Sequence, residues 1–248
     1  MSEPLVESIS RARVVECSHV INDQIPLWPR NPSMVRCPFN TYERSGFSNE
    51  IYTLAGGTGT HIDSPAHFFE GKKTISDLQP KELVSKGVLI DVKEKCDEDN
   101  DYELTVTDIV EWENKHGRIP DRSIVCMRTG WGAKFGHPEE YKNHDESAKH
   151  PYYPGGVMRF PGFSKEAAEF LCSQRNINAI GIDTLSLDPG KLTDFAVHNA
   201  ILGSEKYQIE NLYLEDLPES GFTMIALPLL IDHAPELAAR VIAILDYN

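Results

Sequence analysis

The stretch Gly56-Gly57-Thr-Gly59-Thr-His61-Ile-Asp63-Ser-Pro65-Ala-His67-Phe-Phe69 places two histidines and a carboxylate close together, directly after a run of small residues. In an extended segment alternate side chains share a face, so we expect His61 and Asp63 to point the same way and to chelate one ion. Pro65 removes a backbone donor and ends a regular element, which lets His67 turn back toward the same space. Neutral imidazole and carboxylate together suit zinc, manganese or iron better than calcium.

Other interpretations of this stretch stay open. A His-x-Asp pair occurs by chance, and a histidine near a turn is usually solvated or hydrogen-bonded. A phosphate cradle is disfavoured, because no Gly-Lys-Ser/Thr ending follows and Gly57-x-Gly59 lacks the third glycine of a dinucleotide loop. The glycines instead favour close backbone approach or positive φ.

Composition bounds the class of protein. The 248 residues carry a formal net charge of −14, with 40% hydrophobic and 25% charged residues, which is ordinary for a globular chain of one large or two small domains. No basic cluster occurs, so we expect neither nucleic acid nor an anionic membrane as a partner. No apolar run approaches the ~20 residues that span a bilayer. The first residues also lack the features of a secretory signal, and we therefore predict a cytoplasmic protein.

The five cysteines are an odd number and include no Cys-x-x-Cys pair, which indicates reduced thiols and not a disulfide framework or a zinc-thiolate site. No Gly-x-Ser-x-Gly motif occurs, and no cysteine lies in an evidently electropositive setting. A serine or cysteine hydrolase therefore has little support.

Apolar runs predict strands at residues 14–21, 49–55, 88–92, 123–128, 179–182, 207–212, 222–230 and 241–245. Caps and glycine stops predict helices at 79–86 with Gly87 as the stop, at 108–116 with Thr107 as the cap, after Ser164 to residue 175, and at 195–202 with Asp194 as the cap. Residues 93–101 form a predicted surface loop. Trp28 lies in a proline-rich turn, where it could line a pocket or pack the loop onto the body.

Six separated blocks carry a resemblance: Gly59-Thr-His-Ile-Asp-Ser-Pro-Ala-His67-Phe, Arg128-Thr-Gly-Trp131, Gly181-Ile-Asp-Thr-Leu-Ser-Leu-Asp188, His198-Asn-Ala-Ile-Leu, Ile209-Glu-Asn-Leu and Phe222-Thr-Met-Ile-Ala-Leu-Pro228. Together they resemble the cyclase family, which includes bacterial kynurenine formamidase and isatin hydrolase. The blocks run in the family's order across nearly the whole chain, so the resemblance depends on no single block.

The resemblance implies an α/β protein with the swivelling β/β/α fold, a single metal-dependent hydrolase domain over residues 1–248, and a homodimer or homotetramer. In relatives the residues matching His61 and Asp63 bind metal, and the residue matching His67 is the catalytic acid/base. In two-metal relatives the residues matching His198 and Glu210 complete a second ion, which shares the counterpart of Asp63. Taken without the resemblance, His198 is interpreted as a helix-face histidine and Glu210 as a surface carboxylate.

One position departs from the family signature, which begins His-x-Gly-Thr-His and here has Gly57 at the first histidine. The hydroxyl of Thr58 is a poor substitute, and loss of one protein ligand weakens a catalytic metal site. Two interpretations follow. His61, Asp63, His198 and Glu210 hold a single ion, or the metal site has decayed and the protein binds a ligand without hydrolysing it.

The resemblance implies hydrolysis of a carbon–nitrogen amide bond in a small aromatic formamide, such as an N-formylkynurenine-like compound of tryptophan catabolism, or in an isatin-like lactam. A zinc or manganese ion would lower the pKa of its water toward ~7. His67 would shuttle the proton from that water to the leaving nitrogen, since histidine suits proton transfer near neutral pH. Trp28 and Phe39 are candidates to stack on an aromatic substrate. The alternative is a catalytically impaired family member that acts as a small-molecule binding or regulatory protein.

Overall fold

The computed structural model describes residues 5–149, 151 and 156–245. The strands are β1 Val14–Glu16, β2 Val35–Asn40, β3 Asn49–Thr53, β4 His61–Asp63, β5 Val84–Asp91, β6 Glu103–Leu104, β7 Ile124–Arg128, β8 His144–Asp145, β9 Val157–Met158, β10 Gly162–Phe163, β11 Ala179–Ile182, β12 Tyr207–Glu210, β13 Phe222–Pro228 and β14 Glu236–Leu245. The helices are α1 Leu5–Arg11, α2 Tyr42–Ser45, α3 Pro80–Leu83, α4 Lys93–Glu98, α5 Val106–His116, α6 Pro138–Lys142, α7 Lys165–Gln174 and α8 Ala196–Gly203, and 3₁₀ turns cover Pro65–His67, Ile75–Asp77 and Trp131–Lys134.

The main sheet closes on itself. Its strand order is β14-β13-β5-β7-β11-β12-β4, and β4 pairs back onto the start of β14. β1 pairs with the end of β14, on the edge away from β13. The strands β5, β7, β11 and β12 run parallel, whereas β4 is antiparallel to both of its neighbours. This barrel-like sheet with helices on its outside confirms the predicted α/β class. Its closure places β4 between β12 and β14.

Alternation along the strands divides the apolar residues between two cores. Leu89 belongs to the cluster on the inner face of the barrel, while its neighbours Val88 and Ile90 belong to the cluster packed against the helices. Successive side chains of a strand point to opposite faces, and both faces are buried here. The helix side of this second cluster includes Ile109 of α5 and Leu171 of α7.

Two predicted helices form nearly as expected. The hydroxyl of Ser164 accepts a hydrogen bond from the backbone N–H of Ala167 at 3.1 Å and caps α7. α5 begins two residues earlier than predicted, because Thr105 and not Thr107 is its cap, with Asp108 closing a capping box.

The predicted helix over residues 79–86 is wrong beyond Leu83. The chain enters β5 at Val84, and Gly87 lies inside that strand opposite Phe222. A Cβ atom at Gly87 would lie 1.8 Å from the ring of Phe222. The glycine therefore allows close packing of two strands and does not stop a helix.

Other boundaries also differ from the predictions. The first strand spans only residues 14–16, and the predicted loop at 93–101 contains α4. β14 begins five residues before the predicted strand at 241–245, and this extension carries Glu236 alongside β4. Within the ranges that the structure covers, no helix has both the length and the apolar character needed to cross a bilayer.

Candidate active site

Three adjacent strands bring the candidate ligands together. In the register of the sheet His61 lies opposite Glu210 of β12, while Asp63 lies opposite Gln208 on one side and Glu236 of β14 on the other. Residues directly opposite each other in an antiparallel pair present their side chains on one face. The shared face of β4 that was predicted for His61 and Asp63 therefore also receives carboxylates from both neighbours.

His61 is buried, and a hydrogen bond at Nδ1 orients its ring. Nδ1 lies 2.8 Å from the carbonyl oxygen of Gly59, to which an Nδ1–H donates. Nε2 is then directed at Asp63 Oδ1, at 3.5 Å, and at Glu210 Oε2, at 3.4 Å. A histidine held this way presents a free nitrogen for a metal ion.

His198 is held in the same manner from α8. The carboxylate of Asp188 accepts from the backbone N–H groups of Val197 and His198, at 2.8 and 3.2 Å, and lies 2.6 Å from Nδ1 of His198. Nε2 faces Glu210 Oε1 at 3.4 Å and Asp63 Oδ2 at 3.7 Å. Asp188 therefore both caps α8 and fixes the ring, whereas the predicted cap, Asp194, is exposed.

Asp63 lies at the centre of this cluster. Its Oδ2 accepts a hydrogen bond from Nε2 of Gln208 at 2.9 Å, whereas its buried Oδ1 has no hydrogen-bond partner among the described residues. A buried carboxylate oxygen without a partner is costly. Imidazole nitrogens and carboxylates around it form the donor set that a divalent transition metal takes, so the residues present fit such an ion.

Charge coupling inside the cluster is strong. Burial lowers the pKa of His61 and of His198, but the carboxylates around them outweigh burial and raise each to about 10. Burial raises the pKa of Glu210, yet the two histidines lower it to about 2. A bound cation would take over the role of the imidazole protons and displace them. Glu210, interpreted from the residues alone as a surface carboxylate, is in fact buried between both rings.

Ligand atoms within 4.8 Å of one another form two groups in the part of the chain that the structure describes. One group contains Asp63, His67 and His198, and the other contains His61, Asp63 and Glu236. Asp63 is common to both. Glu210 belongs to neither compact group, because its two oxygens face different histidines.

His67 lies in the 3₁₀ turn that follows β4, with its side chain 29% exposed. Its ring centroid is 6.2 Å from that of His198, and Nδ1 is 3.8 Å from Oε2 of Glu236. The histidine therefore borders the ligand cluster on its solvent side, as the prediction of a catalytic acid/base requires.

A cavity of about 280 Å³ opens onto the cluster. One part of its wall is aromatic: the ring of Phe195 lies 6.2 Å from Trp28 and 5.6 Å from Phe68, measured between centroids. Trp28 thus lines the cavity, as predicted. Phe39 is not among the lining residues, because it lies on the β2–β3 hairpin with 67% of its surface exposed. The structure therefore does not bring Phe39 to the site within one chain.

Reasoning from the sequence missed several residues of the site. Asp188 stands nine residues before Val197, too far for a cap to be recognised from local spacing. Phe68 follows His67, the predicted acid/base, and Phe195 lies three residues before His198, a predicted ligand, so both could have been found as aromatic neighbours of these residues. Glu236 gives no local signal, because only the pairing of β14 with β4 places it beside Asp63.

Comparison with known proteins identifies relatives over almost the full chain. A family model described as "Putative cyclase" matches residues 15–189. An isatin hydrolase of Roseibium aggregatum is 28% identical over 250 residues, covering 93% of this chain and 91% of its own length. A kynurenine formamidase of Bacillus cytotoxicus is 27% identical over 229 residues, covering 92% and 95% respectively.

Solved structures share the fold. Isatin hydrolase A from Labrenzia aggregata, bound to benzyl benzoate, has a TM-score of 0.87 and 26% identity, and the match covers 98% of this chain and 96% of that one. A potential metal-dependent hydrolase with cyclase activity has a TM-score of 0.71 at 23% identity, covering 96% and 100% respectively.

These findings confirm the fold class and the family expected from the sequence, and the relatives of known activity are hydrolytic enzymes by name. The match to residues 15–189 spans β1 to the loop before α8 and includes His61, Asp63 and His67. The chain belongs to the cyclase family.

Proposed function

We propose that this chain hydrolyses the carbon–nitrogen amide bond of a small aromatic formamide or lactam, with a divalent metal and with His67 as acid/base. The observation that carries the proposal is the centre of the cluster. There, the buried Oδ1 of Asp63 has no hydrogen-bond partner among the described residues and lies 3.5 Å from Nε2 of His61. Nε2 of His198 lies 3.7 Å from the other oxygen of the same carboxylate.

Asp63, His61, His198 and Glu210 are the proposed metal ligands, and zinc or manganese suits their mixture of imidazole and carboxylate. When bound, such an ion lowers the pKa of a water ligand toward ~7 and polarises a carbonyl oxygen. Gly59 and Asp188 hold the two imidazoles in the orientation that leaves Nε2 free for it.

His67 performs the proton transfers in this proposal. It takes a proton from the attacking water and delivers it to the nitrogen that leaves. Its partial exposure lets it exchange protons with solvent between turnovers, and its position beside the ligand cluster keeps it within reach of the reacting amide.

The aromatic wall supports a planar, aromatic substrate. Trp28, Phe68 and Phe195 enclose the cavity beside the ligands, and stacking on such rings orients an aromatic amide while excluding water. Relatives named isatin hydrolase and kynurenine formamidase act on such compounds, and one solved relative is bound to benzyl benzoate. An N-formylkynurenine-like substrate would place the reaction in tryptophan catabolism.

A direct test incubates the metal-loaded protein with N-formylkynurenine, isatin and an aliphatic formamide of similar size. We expect hydrolysis of at least one aromatic compound, abolished by chelation and restored by zinc or manganese. Equal, chelator-insensitive rates with all three compounds would contradict both the metal dependence and the aromatic preference.

Gly57 favours the second candidate function, a binding or regulatory protein that has lost catalysis. In that case aromatic amides would bind the cavity and raise the melting temperature without being hydrolysed. Product formation in the assay above separates the two functions.

We also propose that the chain works as a homodimer in the cytoplasm. The β2–β3 hairpin exposes apolar side chains, among them Val35, Phe39 and Ile51, each more than half exposed. Clustered apolar surface of this kind is typical of a protein interface. A homotetramer would need a second such surface.

A further inference from the structure

A carboxylate that no sequence pattern identified lies beside the candidate metal ligands. Glu236 is the first residue of β14, and the pairing of β14 with β4 places it directly opposite Asp63. Opposite residues of an antiparallel pair share a face, so the Glu236 side chain projects toward the side of β4 that carries the ligands. One oxygen of Glu236, one of Asp63 and a nitrogen of His61 all lie within 4.8 Å of one another.

The backbone of Gly57 passes close to this carboxylate. A Cβ atom built on Gly57 would lie 2.7 Å from Oε2 of Glu236 and 3.3 Å from Nε2 of His61. Any larger side chain at position 57 would need the same space. Gly57 and Glu236 are therefore a matched pair, in which the absence of one side chain makes room for the other.

Glu236 has few polar contacts with the described residues around it. Among the described residues its carboxylate has an ionic contact only with His67, at 3.8 Å, which is too long for a hydrogen bond. The described residues that line the cavity include the carboxylates Asp63, Glu210 and Glu236 but no lysine or arginine. Within this lining the positive charge opposite the carboxylates comes from the imidazoles of His61 and His198, whose protons a bound cation would displace.

We propose that Glu236 is a ligand of the ion held by His61 and Asp63, in the ligand place that Gly57 leaves open. A second ion, held by Asp63, His198 and Glu210, would then be retained alongside it. This inference rests on the proposed function, since it requires that the cluster binds metal. It replaces the expectation of a single ion or a decayed site.

The exchange has a chemical consequence for the choice of metal. The ligands His61, Asp63 and Glu236 offer one imidazole and two carboxylates, so oxygen outnumbers nitrogen around this ion. Oxygen-rich sites suit manganese(II) relative to zinc, which favours nitrogen and sulfur. We therefore use manganese(II) as the probe.

The experiment titrates the metal-free full-length chain with manganese(II) chloride and counts bound ions from the loss of the electron paramagnetic resonance signal of free manganese. We compare the wild type with Glu236→Gln, which keeps the shape and removes the charge. Glu16→Gln is the matched control, because Glu16 lies on β1, which pairs with the opposite end of β14 from Glu236, and its carboxylate pairs with Arg240.

In the wild type and in Glu16→Gln we expect about two ions per chain, as in a shared two-ion site. Glu236→Gln should retain about one, with the affinity for the other ion reduced by ~10-fold or more. The variant Gly57→His/Glu236→Ala should regain the lost ion, because an imidazole then occupies the space that the carboxylate leaves. Circular dichroism checks that each variant is folded.

Unchanged stoichiometry and affinity in Glu236→Gln, in a wild type that does bind manganese, would overturn the role of Glu236 and leave the proposed hydrolase intact. A wild type that binds neither manganese nor zinc would overturn both proposals. The two failures are therefore distinguishable in one titration series.

Discussion

At the scale of single residues, the two histidines proposed as metal ligands are each oriented by a hydrogen bond at Nδ1. His61 is held by the carbonyl of Gly59 and His198 by the carboxylate of Asp188. In both cases Nδ1 is engaged and Nε2 faces Asp63 and Glu210. Among the described residues no hydrogen bond fixes the ring of His67, whose Nδ1 faces Oε2 of Glu236 at 3.8 Å, and this difference supports a proton-transfer role for His67.

Replacing His67 by alanine should reduce turnover by ~10²-fold or more, because the proton relay is lost, while the metal content stays unchanged. The measurement pairs steady-state rates with elemental analysis of the same preparation. His233→Ala is the matched control, since that side chain is 87% exposed. Metal and activity lost in parallel would instead make His67 a ligand, as its proximity to Asp63 and His198 allows.

The sequence indicated the local part of the site and not the long-range part. A period of two placed His61 and Asp63 on one face, and a proline turn returned His67 to it, because these relations span only a few residues. Glu210 and Glu236 reach the site through strand register, which depends on pairing across the whole chain. The residues alone therefore suggested a surface carboxylate for Glu210 and nothing for Glu236.

At the scale of elements, one side chain at the start of α8 both caps the helix and orients a histidine of the site. Asp188 accepts hydrogen bonds from two backbone N–H groups in the first turn of α8, and it also fixes the ring of His198. Asp188→Asn should therefore lower metal affinity by ~10-fold to 100-fold, as outer ligand partners generally do. Asp194→Asn, at the exposed residue predicted from sequence as the cap, should have no such effect. Equal metal affinities in the two variants would show that Asp188 does not position His198.

α5 offers a stability test with a defined pH dependence. Burial raises the pKa of Asp108, but Lys95, Thr105 and Tyr102 outweigh it, so the pKa lies below the usual range for an aspartate. Stability from this carboxylate is therefore present above the usual aspartate pKa and is lost as the pH falls through the lowered one.

Asp108→Asn should accordingly reduce the free energy of unfolding by about 1–3 kcal/mol at neutral pH. The difference in unfolding free energy between wild type and variant should shrink below about pH 4. There the unfolded wild-type chain binds a proton at this carboxyl, while the folded chain, with its lowered pKa, still resists protonation. Urea unfolding of wild type and variant, at neutral pH and again below about pH 4, measures this difference. A difference that does not depend on pH would argue against a charge-dependent role.

Some helix and strand boundaries could be predicted from the sequence and others could not. Caps and glycine stops identified α5 and α7 because both helices carry their own start signals. Gly87 was misread as a stop, because a glycine that admits the ring of Phe222 cannot be told from a helix end without the partner strand. β2 was not predicted, because Pro38 interrupts its alternation of apolar and polar residues and removes a backbone donor from the strand.

At the scale of the whole molecule, closure of the barrel through β4 and β14 builds the site. The α/β class and the family followed from blocks spread along the chain, but the pairing that brings Glu236 to Asp63 did not. Outside the barrel, the β2–β3 hairpin carries exposed apolar side chains that a single chain leaves uncovered.

We expect light scattering to show a dimer, and Phe39→Asp combined with Ile51→Lys should weaken it, because both changes place charge on the exposed hairpin. The same variant should keep its metal content. A wild type that is monomeric at micromolar concentration would contradict the homodimer.

The most direct test of the account is the number of metal ions per chain, measured by elemental mass spectrometry on protein purified without chelators or metal resin. We expect about two ions of zinc or manganese, and fewer in His61→Ala and in His198→Ala. A chain that holds no metal, even after incubation with zinc and manganese, would contradict the hydrolase.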